Sequence, residues 1–85
     1  MTIEELEIQF QELKIDPRYY KFKYDKSLDD CMCMTESLNG WEVYYVERGE
    51  KCDIAYFKYE FQACDYVFGT ILRHFKNDIS ITRID

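Results

Sequence analysis

Four cysteines, one histidine and a pair of adjacent aspartates are the side chains here best suited to holding a metal or attacking a substrate. Their spacing decides which of those reactions is open. A structural zinc knuckle usually sets two cysteines with roughly two to four residues between them, so that both sulfurs reach one ion. Cys31-Met32-Cys33 leaves only one residue between its thiols, and neither Cys52 nor Cys64 has a Cys or His close by in sequence. The expectation is therefore no metal, with reduced thiols packing as small hydrophobes. His74 stands between Arg73 and Phe75, with no adjacent Ser, Cys or carboxylate to complete a dyad. A lone histidine late in a helix more often complements the helix dipole than takes a proton from substrate. Asp29-Asp30 supplies two carboxylates, but no further oxygen ligands are spaced to converge on a hard cation with them. Gly40, Gly49 and Gly69 are isolated from one another, so no glycine-rich phosphate loop exists. The chain is read as non-enzymatic, with no cofactor.

Charge narrows the partner. Seventeen carboxylates against eleven Lys and Arg give a formal net charge of -6 and a pI near 4.7. Such a surface repels phosphate backbones and anionic lipid headgroups and favours a basic partner. Tyr19, Tyr20, Lys21, Phe22, Lys23 and Tyr24 interleave rings and bases as single-strand nucleic-acid platforms do. The remaining charge opposes that use, and an amphipathic strand explains the same pattern. Neither nucleic acid nor membrane is an expected partner. Met1-Thr2-Ile3-Glu4-Glu5 does not start a basic-then-apolar leader, and no apolar run approaches the ~18 residues of a membrane span. A cytoplasmic chain is expected, in a compartment that keeps thiols reduced.

These residues must be positioned by one small core, since 85 residues suffice for a single domain. Eight Tyr, six Phe and one Trp give that core much area per residue. Thr2 and Glu5 have capping-box spacing, and Ile3, Leu6, Phe10 and Leu13 recur at helical intervals. A helix is predicted from about Thr2 to Lys14, ended by Asp16-Pro17. Tyr20, Phe22 and Tyr24 alternate as a short strand, and the span from Leu28 to Ser37 reads as a strand apolar on both faces. Asn39-Gly40 predicts a tight hairpin with positive φ at both central positions. The strand from Trp41 to Arg48 follows, Gly49-Glu50 reverses the chain, and Cys52, Ile54 and Tyr56 alternate in a further strand.

From about Lys58 the period becomes helical: Phe61, Cys64, Val67, Phe68, Ile71, Leu72 and Phe75 share a face ending near Lys76. Asn77-Asp78 is a turn signal, and the alternation of Ile79, Ile81 and Arg83 with Ser80, Thr82 and Ile84 allows a short terminal strand. The expected fold is α+β: an N-terminal helix, an antiparallel meander of three or four strands and a C-terminal helix, both helices on one face. The other face would meet solvent or a partner. With Trp41 inward as a core anchor, that outer face would carry Glu42, Tyr44 and Val46 beside Asp53, Ala55 and Phe57.

Trp41-Glu42-Val43-Tyr44-Tyr45-Val46-Glu47-Arg48-Gly49, then Phe57, Glu60 and Ala63-Cys64-Asp65-Tyr66, resembles a family of small bacterial immunity proteins from polymorphic and contact-dependent growth inhibition toxin systems. The pattern compared is a WxVYYxERG strand and turn followed by a helix opening with EAC and an aromatic. Gln62 stands where Glu is usual, and Lys58-Tyr59-Glu60 lacks the usual Asp or Thr cap. The match covers about Leu38 to Leu72. The resemblance implies a cognate toxin as partner, often a nuclease, neutralised by occlusion of its active or substrate-binding site.

Carboxylates can imitate the phosphates that a basic cleft awaits and can speed encounter with it. The partner-binding candidates are Glu42, Glu47, Glu50 and Asp53, followed by Asp29 and Asp30, with the first helix (Glu4, Glu5, Glu7 and Glu12) as the alternative surface. The competing reading is a non-catalytic interaction module that self-associates or binds another protein through its outer sheet face or an edge strand.

Overall fold

A computed structural model describes the backbone of residues 1–83 and the side chains of residues 1–74. Helix α1 spans Ile3–Glu12, and its start is the capping box read from sequence: the Glu5 amide donates to Thr2 Oγ1 at 3.2 Å and the Thr2 amide to Glu5 Oε1 at 2.8 Å. The helix stops at Leu13, where Lys14 turns left-handed at φ 60°. Asp16 then caps a 3-10 turn over Pro17–Tyr19, accepting from the Arg18 amide at 3.0 Å.

Four strands follow: β1 (Tyr20–Lys21), β2 (Cys31–Ser37), β3 (Gly40–Glu47) and β4 (Glu50–Phe57), arranged in the sheet in that order. The β2-β3-β4 meander is antiparallel as expected. The fourth strand, β1, falls in the segment read as a short strand, but it is not antiparallel: it joins at the edge beyond β2 and runs parallel to it. Parallel neighbours cannot be linked by a tight turn, so the chain must travel back along a face of the sheet. Residues 22–30 do this. Phe22 packs on the helix-side core, whereas Leu28 packs against Cys31, Cys33, Tyr44 and Val46 on the opposite side. The outer face is thus partly covered by the chain's own strap, which corrects the expectation of a bare one.

The first hairpin is also built one residue out of step with the expectation. Ser37 pairs with Gly40, so Leu38 and Asn39 are the central residues. Gly40 is needed for close approach instead: a Cβ there would lie 2.3 Å from the Phe57 carbonyl oxygen. In the second hairpin Glu47 pairs with Glu50, and the central Arg48 and Gly49 have φ of 53° and 78°. Two left-handed residues make the primed turn that suits the twist of adjacent strands.

Helix α2 runs over Glu60–Arg83. The expected terminal strand is therefore overturned for Ile79 to Arg83, which continue the helix, and Ile84 lies outside the described residues. No Gly or Pro follows Gly69 to stop the helix, and an isolated Asn-Asp pair is a weak breaker. Both helices pack on one face of the sheet. Leu6, Phe10, Ala63, Cys64, Val67 and Ile71 from the helices bury with Met34 and Val43 from the strands, together with Ile15 and Tyr20. The Phe10 and Tyr20 rings meet at 4.5 Å. Glu60 ties the helices together, its Oε2 accepting from the Ile3 amide at 2.9 Å. Trp41 faces this core as expected but is half-buried at its margin, not an anchor at its centre.

Candidate functional site

The local event that builds the site is a bulge in β4. Val43 pairs with Ala55 but Tyr45 with Cys52, so Asp53 and Ile54 together oppose Tyr44. Asp53 takes φ 53° there. A bulge of this kind inserts one residue and re-aims the strand. Ala55 and Phe57 consequently sit opposite Val43 and Trp41 on the helix side, correcting the assignment of Phe57 and Ala55 to the outer face.

Asp53 lines a cleft of about 260 Å³ at the turn end of the sheet, between α2 and the strands. Its other walls come from Tyr19, Asp30, Cys31, Met32, Tyr45, Tyr66, Thr70, Ile71 and His74. Asp30 is left-handed like Asp53, at φ 56°, and Asp is among the few residues besides Gly that enter that region readily. The Asp30 amide donates to the Val46 carbonyl at 2.7 Å, and its Oδ1 accepts from the Tyr45 hydroxyl. That hydrogen bond to a carboxylate, with burial and the charge of Asp30 adding to it, raises the Tyr45 pKa above the ordinary phenol value. Tyr45 is therefore a donor to Asp30 at neutral pH.

Around this cleft the strap and the second hairpin are laced together. Asp29 Oδ1 accepts from the Arg48 amide at 2.7 Å, the Gly49 amide donates to the Leu28 carbonyl at 2.9 Å, and the Tyr24 hydroxyl donates to the Gly49 carbonyl. On the outer side the Lys51 amine sits 4.8 Å from the Tyr24 ring centre and 4.7 Å from that of Tyr44, so one cation bridges strap and sheet.

Asp29, Asp30, Glu47, Glu50 and Asp53 are thus brought to one end of the molecule. Glu47 and Glu50 are direct cross-strand partners, a like-charge pairing that costs the free domain stability. Glu42 is separate: it lies on the outer face within 3.7 Å of Lys51 Nζ. Asp29 is already engaged by the turn backbone, so its role includes holding the strap. The same end also carries cations, because Lys26, Arg48 and Lys51 line a groove on the outer side with Glu50 and Tyr24. Among the described residues, no Lys or Arg lines the inner cleft.

Sequence reasoning missed Tyr19, Tyr45, Tyr66, Thr70 and His74 as neighbours of Asp30 and Asp53. A signal existed in α2: Tyr66, Thr70 and His74 recur every fourth residue, a polar and aromatic stripe beside the apolar Val67 and Ile71. Their strand-side neighbours follow from the bulge and the strap, which no spacing announces.

Cys31, Cys33 and Cys64 are buried; burial raises the pKa of each thiol, that of Cys64 to about 11, which disfavours the nucleophilic thiolate. Among the described residues, no group of three or more His, Cys, Asp or Glu side chains is placed to hold a metal ion. Among the same residues, no helix is long and apolar enough to cross a membrane. No family model matches the chain, and no curated protein or solved structure is significantly similar to it.

Proposed function

We propose that this protein is a cytoplasmic immunity protein that neutralises a basic toxin, a nuclease being the class that the sequence resemblance implies, by occluding its active or substrate-binding site. The observation that carries the reading is the gathering of Asp29, Asp30, Glu47, Glu50 and Asp53 at the turn end of the sheet, on a chain of net charge -6. A cationic partner relieves the repulsion between Glu47 and Glu50 and meets a surface that steers it electrostatically. The strap-to-turn hydrogen bonds hold this surface ready before encounter, which lowers the ordering cost of association.

The test is co-expression with the toxin encoded by the neighbouring gene, reading growth protection, association rate and dissociation rate. Lys replacements at Glu47, Glu50 and Asp53, each checked for retained folding, should weaken protection and slow association, with a reduced dependence on salt. Unchanged affinity and salt dependence in all three would remove this end of the molecule from the interface and turn attention to Glu4, Glu5, Glu7 and Glu12 on α1.

One observation favours a second reading, a module that associates with itself. Strand β4 is an edge strand and exposes Ile54 (41%) and Tyr56 (68%). The bulge at Asp53 opposes extension of the sheet at that edge, since bulges and charges blunt edge pairing. Sedimentation of the purified chain across a concentration series separates the readings, and a stable dimer lost in Ile54→Lys would favour this one.

A further inference from the structure

We propose that the cleft lined by Asp30 and Asp53 is a receptor for one arginine side chain presented by a protein partner. This deepens the binding reading above and rests on it for the identity of the partner, but not for the chemistry of the cleft. Three properties set the occupant. The first is size: at about 260 Å³ the cleft falls below the roughly 300–1,000 Å³ that pockets for whole small molecules occupy, and a single long side chain suits it. The second is charge, since Asp30 and Asp53 line it and, among the described residues, no Lys or Arg does. The third is the wall, which combines Tyr19, Tyr45 and Tyr66 with the apolar Met32 and Ile71.

Aromatic walls and carboxylates together select a guanidinium over an ammonium. The guanidinium is planar, weakly hydrated and able to stack on a ring while donating in-plane to a carboxylate, whereas the ammonium is a compact, strongly hydrated point charge. Asp30 retains acceptor capacity, because the Tyr45 hydroxyl bonds only to Oδ1 and an ionised carboxylate accepts at about four lone-pair positions. Tyr45 also holds that carboxylate in place.

The experiment uses the free, isotope-labelled chain and three capped amino acids as probes: N-acetyl-arginine amide, N-acetyl-lysine amide and N-acetyl-citrulline amide, the last an uncharged near-isostere of the first. The expected result is saturable movement of the Asp30, Tyr45, Asp53, Tyr66 and Thr70 amide signals with the arginine probe. Affinity for the lysine probe should be roughly three- to tenfold weaker, as the difference between stacked and point-charge cations allows, and the citrulline probe should leave the signals in place. The variants are Asp30→Asn and Asp53→Asn, because Asn tolerates the left-handed backbone at both positions and removes only the charge. Together they should weaken the arginine probe by at least about tenfold, two charge-assisted contacts being lost. Equal response to citrulline, movement confined to another surface, no response to arginine, or an unchanged affinity in the double variant would each overturn the proposal. The outcome is separable from the function proposed above. Probe binding without any effect of the chain on the neighbouring toxin would sink the immunity reading and keep the cleft. Tight toxin binding that ignores the double variant would sink the arginine receptor and keep the immunity reading.

Discussion

The two faces of the sheet are covered by different means. On the inner face, two helices bury Leu6, Phe10, Ala63, Cys64, Val67 and Ile71 against Met34 and Val43, so cohesion there comes from apolar area and close packing. On the outer face, a strap of a few residues covers Cys31, Cys33, Tyr44 and Val46 with little more than Leu28 and Tyr24. What holds it is a short set of directional contacts: the Asp29, Leu28 and Tyr24 hydrogen bonds to the Arg48-Gly49 turn, and Lys51 between two rings. Area degrades gradually when one residue changes. A few hydrogen bonds converging on one turn fail together, so the outer cover should open locally while the inner core stays shut.

The largest expected effect belongs to the inner face. Phe10→Ala removes a fully buried ring that contacts Tyr20 and Phe68 and should cost about 3–5 kcal/mol in denaturant unfolding, the range for truncating a large core aromatic. A loss under about 1 kcal/mol would break the comparison, because area burial would then not be what secures this side. Trp41→Ala should cost less than Phe10→Ala, since Trp41 keeps solvent contact at the core margin.

Next in size is Gly49→Ala. At φ 78° its Cβ would lie 2.4 Å from the Lys26 carbonyl oxygen, which belongs to the strap. The left-handed backbone alone costs about 1–2 kcal/mol, and the clash is relieved by lifting the strap away. Hydrogen exchange should show faster exchange at the Gly49, Arg48 and Asp30 amides with protection retained in β2 and β3. If protection fell evenly across the sheet, the two covers would be one cooperative unit and the contrast between them would be lost.

Tyr45→Phe should have a smaller effect, about 0.5–1.5 kcal/mol, the net worth of a typical hydrogen bond. It removes only the donor to Asp30 Oδ1 and leaves the ring. Comparing its affinity for a capped arginine with the parent's would sharpen the picture of the cleft, since an untethered Asp30 should bind the probe less well.

The smallest effect near neutrality is a pH dependence. Burial raises Cys64 from the 9.0 of a free thiol to about 11 in the folded state. The folded chain therefore keeps a proton that the unfolded chain releases, and the contribution is fully present below pH 9.0 and lost as pH rises toward about 11. Tyr44, Cys31 and Cys33 are also raised by burial and act with the same sign. Thermal unfolding should show a falling midpoint above pH 9.0, less steep in Cys64→Ala once its lower baseline stability is taken into account. A midpoint that rises through this window would contradict the burial of these groups.

Much of the local structure was legible. The Thr2 and Glu5 capping box, the helical period of Leu6 and Phe10, the apolar character of both faces between Cys31 and Met34, and the turn at Gly49 are encoded within a few residues of where they act. Each follows from backbone sterics or side-chain direction, which depend on neighbours in sequence. The second turn lies one residue earlier than the Gly49-Glu50 reversal read from sequence, with Arg48 and Gly49 central, and that register sets Glu47 opposite Glu50.

The tertiary structure alone decided the parallel placement of β1, the strap it requires, the bulge at Asp53 and the length of α2. Parallel pairing of Tyr20 with Met32 leaves no trace in hydrophobic period, because a two-residue strand is too short to carry one. The bulge shifts which residues of β4 face the helices by a single position, and alternation read from sequence cannot locate the extra residue. The cleft inherits both decisions. Asp30 comes from the end of the strap, Asp53 from the bulge, and Tyr66 and His74 from α2. These residues span more than half of the chain, and their meeting is fixed by contacts such as Leu28 with Gly49 and Asp29 with Arg48, whose partners are distant in sequence and are chosen by the packing of the whole domain.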